Sequence, residues 1–312
     1  MNIIFLGTSS GVPTLTRNVS SLALKLSQSS EVWLFDCGEG TQHQIMKSNI
    51  KSSQIKKIFI THMHGDHVYG LPGLLATLGL SGNSNGIEIY GPSELRGFIN
   101  TTLSSSYCRL SFPLHFVEVE NFASQNKILF EDKKVKVNCA CLKHRIPAYG
   151  YRVSEKDKPG TFDIKKAESM KIAPGPIYGE LQQGKNIVLE DGRTVYGKEF
   201  CGPPRKGKSF VYCTDTVFSE SAVSLSKNAD LLVHESTFSE EDESMAYEKL
   251  HSTTIMAAKT ALLSNTKKLI ITHLSPRYTS KNSITPRDLL KEAQKVFPNT
   301  QLAKDFLTAE IK

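Results

Sequence analysis

His62-Met63-His64-Gly65-Asp66-His67 places four side chains able to bind a metal within six residues. The apolar run before it, Ile58-Phe59-Ile60, predicts a buried strand, so the histidines fall where the chain leaves a sheet. Gly65 permits the tight turn needed there. Three imidazoles and a carboxylate gathered in a dry site would leave several polar atoms without partners. A divalent cation uses their lone pairs directly, so the pattern reads as a metal site rather than as packing. The run also divides naturally, with His62 and His64 reaching one ion and Asp66 and His67 a second.

Each ion then lacks ligands, which requires further histidine or aspartate at strand ends downstream. Three residues qualify: His144 after the strand expected at 135–141, Asp215 after Phe210-Val211-Tyr212-Cys213-Thr214, and His273 after Leu269-Ile270-Ile271-Thr272. Ligands at the carboxyl ends of strands suit a site on the edge of α/β sheets. A carboxylate has two oxygens, so Asp215 is the natural bridge between two ions.

Working outward, strands are expected at 2–7, 21–26, 32–35, 56–61, 87–90, 114–119, 135–140, 149–153 and 209–213, with helices at 41–47, 71–80 and 93–103. This alternation places the chain in the α/β class. Lys56-Lys57-Ile58-Phe59-Ile60-Thr61-His62 and Lys267-Lys268-Leu269-Ile270-Ile271-Thr272-His273 share both lysines, an isoleucine, the threonine and the histidine. That echo suggests two related halves facing one site. Between 152 and 208 the character changes to Pro159-Gly160, Ala173-Pro174-Gly175-Pro176 and Gly202-Pro203-Pro204-Arg205-Lys206-Gly207-Lys208, with few buried-type runs. The expected organisation is therefore a core from 1–151 and 209–312, interrupted by a flexible basic insertion at 152–208 rather than by a second folded domain.

Composition excludes several classes. At 312 residues, 39% hydrophobic and 22% charged, the chain has material for a large core and is neither disordered nor collagenous. No apolar run approaches the ~20 residues that span a bilayer, and Met1-Asn2-Ile3-Ile4 opens no secretory leader, so a cytoplasmic protein is expected. Six cysteines without a Cys-x-x-Cys pair argue against a zinc ribbon or a redox motif. The formal charge is +7, of which the insertion, with 12 Lys and Arg against 8 Asp and Glu, contributes +4.

With these motifs in hand, the chain resembles the metallo-β-lactamase superfamily, whose fold is a four-layer αβ/βα sandwich. More narrowly it is similar to the ribonuclease Z (tRNase Z) family in its short form, which matures tRNA 3′ ends. Gly7-Thr8-Ser9-Ser10-Gly11-Val12-Pro13, Asp36-Cys37-Gly38-Glu39-Gly40-Thr41-Gln42, His234-Glu235-Ser236-Thr237-Phe238, His251-Ser252-Thr253 and His273-Leu274-Ser275-Pro276-Arg277-Tyr278 carry the likeness across the whole chain.

The resemblance implies two zinc ions, one held by His62, His64 and His144, the other by Asp66, His67 and His273, with Asp215 bridging. Manganese or iron could occupy the same ligands. It further implies a bridging hydroxide as nucleophile, Asp66 as its proton acceptor, and His251, supported by Glu235, as donor to the leaving 3′ oxygen. Read from the sequence alone, His251 could equally belong to a helix start and Glu235 to an ordinary loop. For the insertion the family implies an arm that clamps the elbow of precursor tRNA across a homodimer, using Gly175 and Pro176 and the basic Arg205, Lys206 and Lys208. The family's Pro-x-Lys-x-Arg-Asn loop appears as Pro13-Thr14-Leu15-Thr16-Arg17-Asn18. Arg17 and Asn18 are kept as candidate substrate contacts, while Leu15 stands in place of the lysine and puts the handling of CCA-containing precursors in question. Arg277 could contact the terminal nucleotide or be structural.

Two rivals follow from the same residues. A hydrolase of small substrates, such as a phosphodiesterase or an arylsulfatase-like enzyme, would use the same ligands. An RNA-binding factor without turnover would not need all seven.

Overall fold

The structure is a computed structural model that describes residues 1–27, 29–82, 85–125, 127–279 and 282–311. Among these the strands, in chain order, are β1 (Asn2–Gly7), β2 (Ser21–Lys25), β3 (Val32–Phe35), β4 (Ile55–Phe59), β5 (Ile87–Gly91), β6 (Leu114–Glu118), β7 (Ile128–Glu131), β8 (Val135–Leu142), β9 (Ala148–Glu155), β10 (Asn186–Val188), β11 (Thr194–Tyr196), β12 (Ser209–Cys213), β13 (Leu231–Glu235), β14 (Leu269–Thr272), β15 (Thr300–Leu302) and β16 (Thr308–Glu310). They form two seven-stranded sheets, ordered β16-β1-β2-β3-β4-β5-β6 and β15-β14-β13-β12-β9-β8-β7, and a separate β10-β11 hairpin. Four parallel strands close one end of each sheet, β3 to β6 in the first and β12 to β15 in the second.

Alternation along the strands explains the layering. Phe35, Phe59 and Tyr90 of the first sheet and Tyr151, Phe210 and Tyr212 of the second are buried between the sheets. Phe35 meets Phe210 edge-on at 5.4 Å, and Phe59 meets Tyr151 at 5.3 Å. The intervening residues point the other way. Leu34, Ile58 and Ile89 pack on Leu71, Leu74, Leu75 and Leu78 of the helix Leu71–Leu80. Val211, Leu232 and Ile271 pack on Ala257, Ala258 and Ala261 of the helix Thr254–Leu263, where small side chains let helix and sheet approach. The order helix, sheet, sheet, helix is the four-layer α/β sandwich that the family resemblance implied. Strands apolar on both faces are what such a buried parallel arrangement requires.

Two expectations need correction. The strands that share Ile-Thr-His are not equivalent: β4 is the second of its four parallel strands, counted from the middle of the sheet, while β14 is the third. The echo reflects a shared local need, an apolar strand ending in a buried histidine, and not a matched position in two halves. The insertion is also more than a loose excursion. Residues 154–208, with 133–135, make a compact unit in which Ala167, Ile172, Leu181, Val195 and Phe200 are buried together. These residues are scattered singly along the chain, so no apolar run announces them. The helices Ile164–Ser169 and Pro176–Gln182 and the β10-β11 hairpin supply that cluster. Among the described residues all six cysteines are free thiols, and no helix is long and apolar enough to cross a membrane.

Candidate metal centre

The site sits where the parallel strands end. Asp36 follows β3, His62 lies three residues past the end of β4, Asp215 two past the end of β12, Glu235 closes β13 and His273 follows β14. Asp36, Asp215 and His273 all take positive φ, at 58°, 43° and 58°. Such left-handed backbone is uncommon for residues with a Cβ and turns each chain sharply out of its strand, so the side chain faces the end of the sandwich. His64, Asp66 and His67 lie at or beside the short helix Gly65–Val68, and His144 lies in the turn between β8 and β9.

These side chains converge in two groups, His62 with His64, His144 and Asp215, and Asp66 with His67 and His273, and a third grouping joins Asp215 and His273 to His251. In the first, His64 Nδ1 lies 3.1 Å from Nε2 of both His62 and His144, and Asp215 Oδ2 lies 3.4 Å from His62 and 3.8 Å from His144. In the second, His67 Nε2 is 3.3 Å from both Asp66 Oδ2 and His273 Nε2. Asp215 Oδ1 lies 3.2 Å from His67 and from His273. Asp215 thus turns one oxygen to each group.

Those separations fit a cation. Two atoms each about 2.0–2.1 Å from a tetrahedral zinc lie about 3.3 Å apart. The tautomers fit as well, because the outward nitrogen of four of the imidazoles meets a group that can only accept or is committed to accepting. His67 Nδ1 donates to Asp36 Oδ2 at 2.8 Å, and His144 Nδ1 donates to the Leu250 carbonyl at 2.9 Å. The Thr61 hydroxyl, spent on Asp36 at 2.9 Å, accepts from His62 Nδ1 at 2.9 Å. The Thr237 hydroxyl, spent on Glu235 at 2.6 Å, accepts from His273 Nδ1 at 3.0 Å. In each of these four rings Nδ1 is the donor and Nε2 faces inward, which is the arrangement of metal-binding histidine.

Electrostatics divide the rings: against the cost of burial, the Asp215, Asp66 and Asp36 carboxylates raise His67 well above the ordinary imidazole value. Burial pushes His62, His64 and His144 below the ordinary imidazole value, keeping them neutral and able to ligate. Burial opposes charge on Asp215, yet His273, His67 and His62 hold its carboxyl well below the usual range. Burial likewise opposes charge on Asp66, whose carboxyl is held well below the usual range by His67 and His273. Asp66 Oδ2 also accepts from the Gly11 amide at 2.8 Å, which ties the loop after β1 to the cluster. A cavity of about 370 Å³ opens beside it, lined by Gly11, Val12, Glu39, His64, Asp66 and Tyr69 among others.

His251 lies beside the cluster, following the helix Glu243–Lys249. Its Nδ1 donates to Glu235 Oε1 at 2.8 Å, and its Nε2 is 4.0 Å from Asp215 Oδ2. It does not cap the next helix, which Thr253 does by accepting from the Met256 amide. Against the cost of burial, the Glu235 carboxylate raises the imidazole to about 9. Glu235 is fully buried and also receives the amides of Thr216 at 2.8 Å and Thr237 at 3.1 Å.

Comparison with known proteins places this geometry. The chain is 90% identical over all 312 residues, covering the whole of both chains, to the curated ribonuclease Z of Prochlorococcus marinus strain MIT 9312. The chain belongs to the ribonuclease Z family. It is 62% identical to the ribonuclease Z of strain NATL2A, over 100% of this chain and 99% of the other. Among solved structures, human tRNase Z, short form, matches with a TM-score of 0.70 and 32% identity over the full length of both chains. A family model described as anti-Pycsar protein Apyc1 matches residues 1–155.

Several residues singled out in this ribonuclease Z family member are engaged by the chain itself. Arg17 donates through Nη1 to Thr8 Oγ1 and to the Ala303 carbonyl, both at 2.7 Å. The Asn18 side chain donates to the Glu39 carbonyl at 2.8 Å, and its amide to Asp305 at 2.7 Å. Both residues therefore brace the loop, while Leu15 is fully exposed at its tip. Arg277 lies over the Phe238 ring at 5.2 Å and contacts Asp242 at 3.4 Å. In the insertion, Gly175, Pro176, Arg205 and Lys206 are exposed and Lys208 is half-buried. Sequence reasoning missed Thr61, Thr237, Tyr212 and the role of Asp36. Asp36 and Thr237 stood inside quoted motifs, but nothing in the sequence reveals which side chain meets which.

Proposed function

We propose that the chain is a metal-dependent endoribonuclease that matures tRNA 3′ ends. It cuts precursor tRNA after the discriminator nucleotide, leaving a 3′-hydroxyl on the tRNA and a 5′-phosphate on the trailer. The observation that carries this reading is Asp215, whose two oxygens face two histidine groups, in a chain 90% identical end to end to a curated ribonuclease Z. His62, His64 and His144 would hold one divalent ion, and Asp66, His67 and His273 a second, with Asp215 shared between them. Imidazole and carboxylate ligands suit zinc, and manganese or iron can use the same set. When bound, such a pair supplies an activated water and stabilises charge on the phosphoryl group.

The remaining roles fall to the chain's own side chains. Glu235 keeps the proton on His251 Nδ1 and leaves Nε2 to face the cluster, so His251 is the donor to the departing 3′ oxygen. Asp66, more open to solvent than Asp215, takes a proton from the attacking water. A hydrolase of small diesters would need the same ligands. Full-length similarity to human tRNase Z, short form, favours RNA.

The basic unit at 152–208 would grip the tRNA elbow through Gly175, Pro176, Arg205, Lys206 and Lys208, one subunit of a cytoplasmic homodimer holding the tRNA that its partner cuts. A-form RNA offers mainly phosphates and 2′-hydroxyls, which exposed lysine and arginine suit. Labelled precursor tRNA, incubated with and without a chelator, tests the whole reading. The expected result is one chelator-sensitive cut beside the discriminator nucleotide. Turnover of bis-phosphodiesters with intact precursor would overturn it.

A further inference from the structure

Two buried carboxylates support the cluster in the same way. Asp36 accepts directly from His67 Nδ1 at 2.8 Å and from the Thr61 hydroxyl at 2.9 Å, and that hydroxyl accepts from His62 Nδ1. Glu235 accepts directly from His251 Nδ1 at 2.8 Å and from the Thr237 hydroxyl at 2.6 Å, and that hydroxyl accepts from His273 Nδ1 at 3.0 Å. A threonine has one hydroxyl proton. Once it is given to the carboxylate, the oxygen can only receive, which fixes the histidine proton on Nδ1 and the lone pair on Nε2. Each relay thus orients one imidazole directly and a second through a threonine. Thr237 is 3% exposed and Glu235 fully buried, so water cannot substitute for either contact.

We infer that Thr237 is a positioning residue for the ion held by Asp66, His67 and His273, and that through it Glu235 supports that ion as well as His251. The inference rests on the ligand assignment above. Glu235 then has two separable duties: through Oε1 it holds the proton donor, and through Oε2 and Thr237 it holds a ligand. The sequence echo would have assigned the second duty elsewhere. After β4 the relay threonine, Thr61, directly precedes its histidine, and Thr272 precedes His273 in the same way. Yet it is Thr237, on the neighbouring strand's exit, that reaches the His273 ring.

The test uses the full-length protein, stripped of metal and titrated with Zn2+ against a chromogenic chelator. Wild type should bind two equivalents. Thr237→Val should bind one equivalent as wild type does, with the other weakened about 10- to 100-fold, as loss of a hydrogen-bond partner behind a ligating histidine does. Thr237→Ser, which restores the hydroxyl, should bind both within a few-fold of wild type. Thr237→Ala removes the hydroxyl without adding bulk and should behave as the valine variant does, so crowding cannot explain the loss. His251→Ala, which removes only the other arm of Glu235, should leave both affinities unchanged. Two equivalents at wild-type affinity in Thr237→Val or Thr237→Ala would overturn the role of Thr237. Fewer than two equivalents in wild type would overturn the ligand assignment and this inference with it.

Discussion

Asp36 and Glu235 perform the same service at two places in the cluster, and they differ in one respect. Both imidazoles that depend on Asp36, His67 and His62, belong to the metal-binding groups, one in each. Of the two that depend on Glu235, His273 belongs to the second group, and His251, which joins it only in the third, lies with its Nε2 4.0 Å from Asp215. On the roles proposed above, the difference teaches that a proton donor would be built from the same parts as a ligand. What separates them is a small displacement from the cluster, not a different kind of support.

The comparison breaks most visibly at His251. Its removal in His251→Ala should lower kcat on precursor tRNA by about 10²–10⁴ with metal content unchanged, the usual worth of a positioned acid. Metal analysis beside single-turnover kinetics checks both halves. A fall in bound metal would make His251 a ligand and erase the distinction. Next in size, Asp36→Ala should destabilise the metal-free protein by about 3–5 kcal/mol in chemical denaturation. It strands the Thr61 amide and hydroxyl, His67 and the Tyr212 hydroxyl in a dry interior. A loss under 1 kcal/mol would mean that water enters and that this relay is not sealed. Thr61→Val should cost about 10- to 100-fold in affinity for one ion, mirroring Thr237→Val at the other. If the same ion weakens in both variants, the two relays do not serve separate groups. The mildest change is Tyr212→Phe, which deletes the 3.2 Å hydrogen bond to Asp36. It should cost about 0.5–1.5 kcal/mol and leave activity near wild type. A larger loss would mean that Tyr212 does more for Asp36 than this single bond.

Much of the architecture could be read from the chain. Runs such as Val32-Trp33-Leu34-Phe35 and Leu269-Ile270-Ile271-Thr272 are apolar on both faces, which only a doubly covered sheet explains, and the histidines and aspartates at their ends mark the site. What could not be read depends on pairing. Thr61 lies 25 residues from Asp36, and Tyr212 lies 176 from it. Threonine and tyrosine are too common for either spacing to stand out. The insertion escaped for a related reason: Ala167, Leu181 and Phe200 become a core only when two short helices and a hairpin bring them together. Arg17 shows the limit from the other side. Its position in a recognisable loop suggested a substrate contact, while its guanidinium is occupied by Thr8 and Ala303.

One contact described above carries the state of the cluster outward. The Gly11 amide, in an exposed loop with φ of 70°, donates to the same Asp66 oxygen that faces His67 and His273. An ion that holds that carboxylate in fixed register should slow the exchange of this amide with deuterated solvent. A single surface glycine would thus serve as a spectroscopic gauge of ion capture, legible in the intact protein without substrate or turnover.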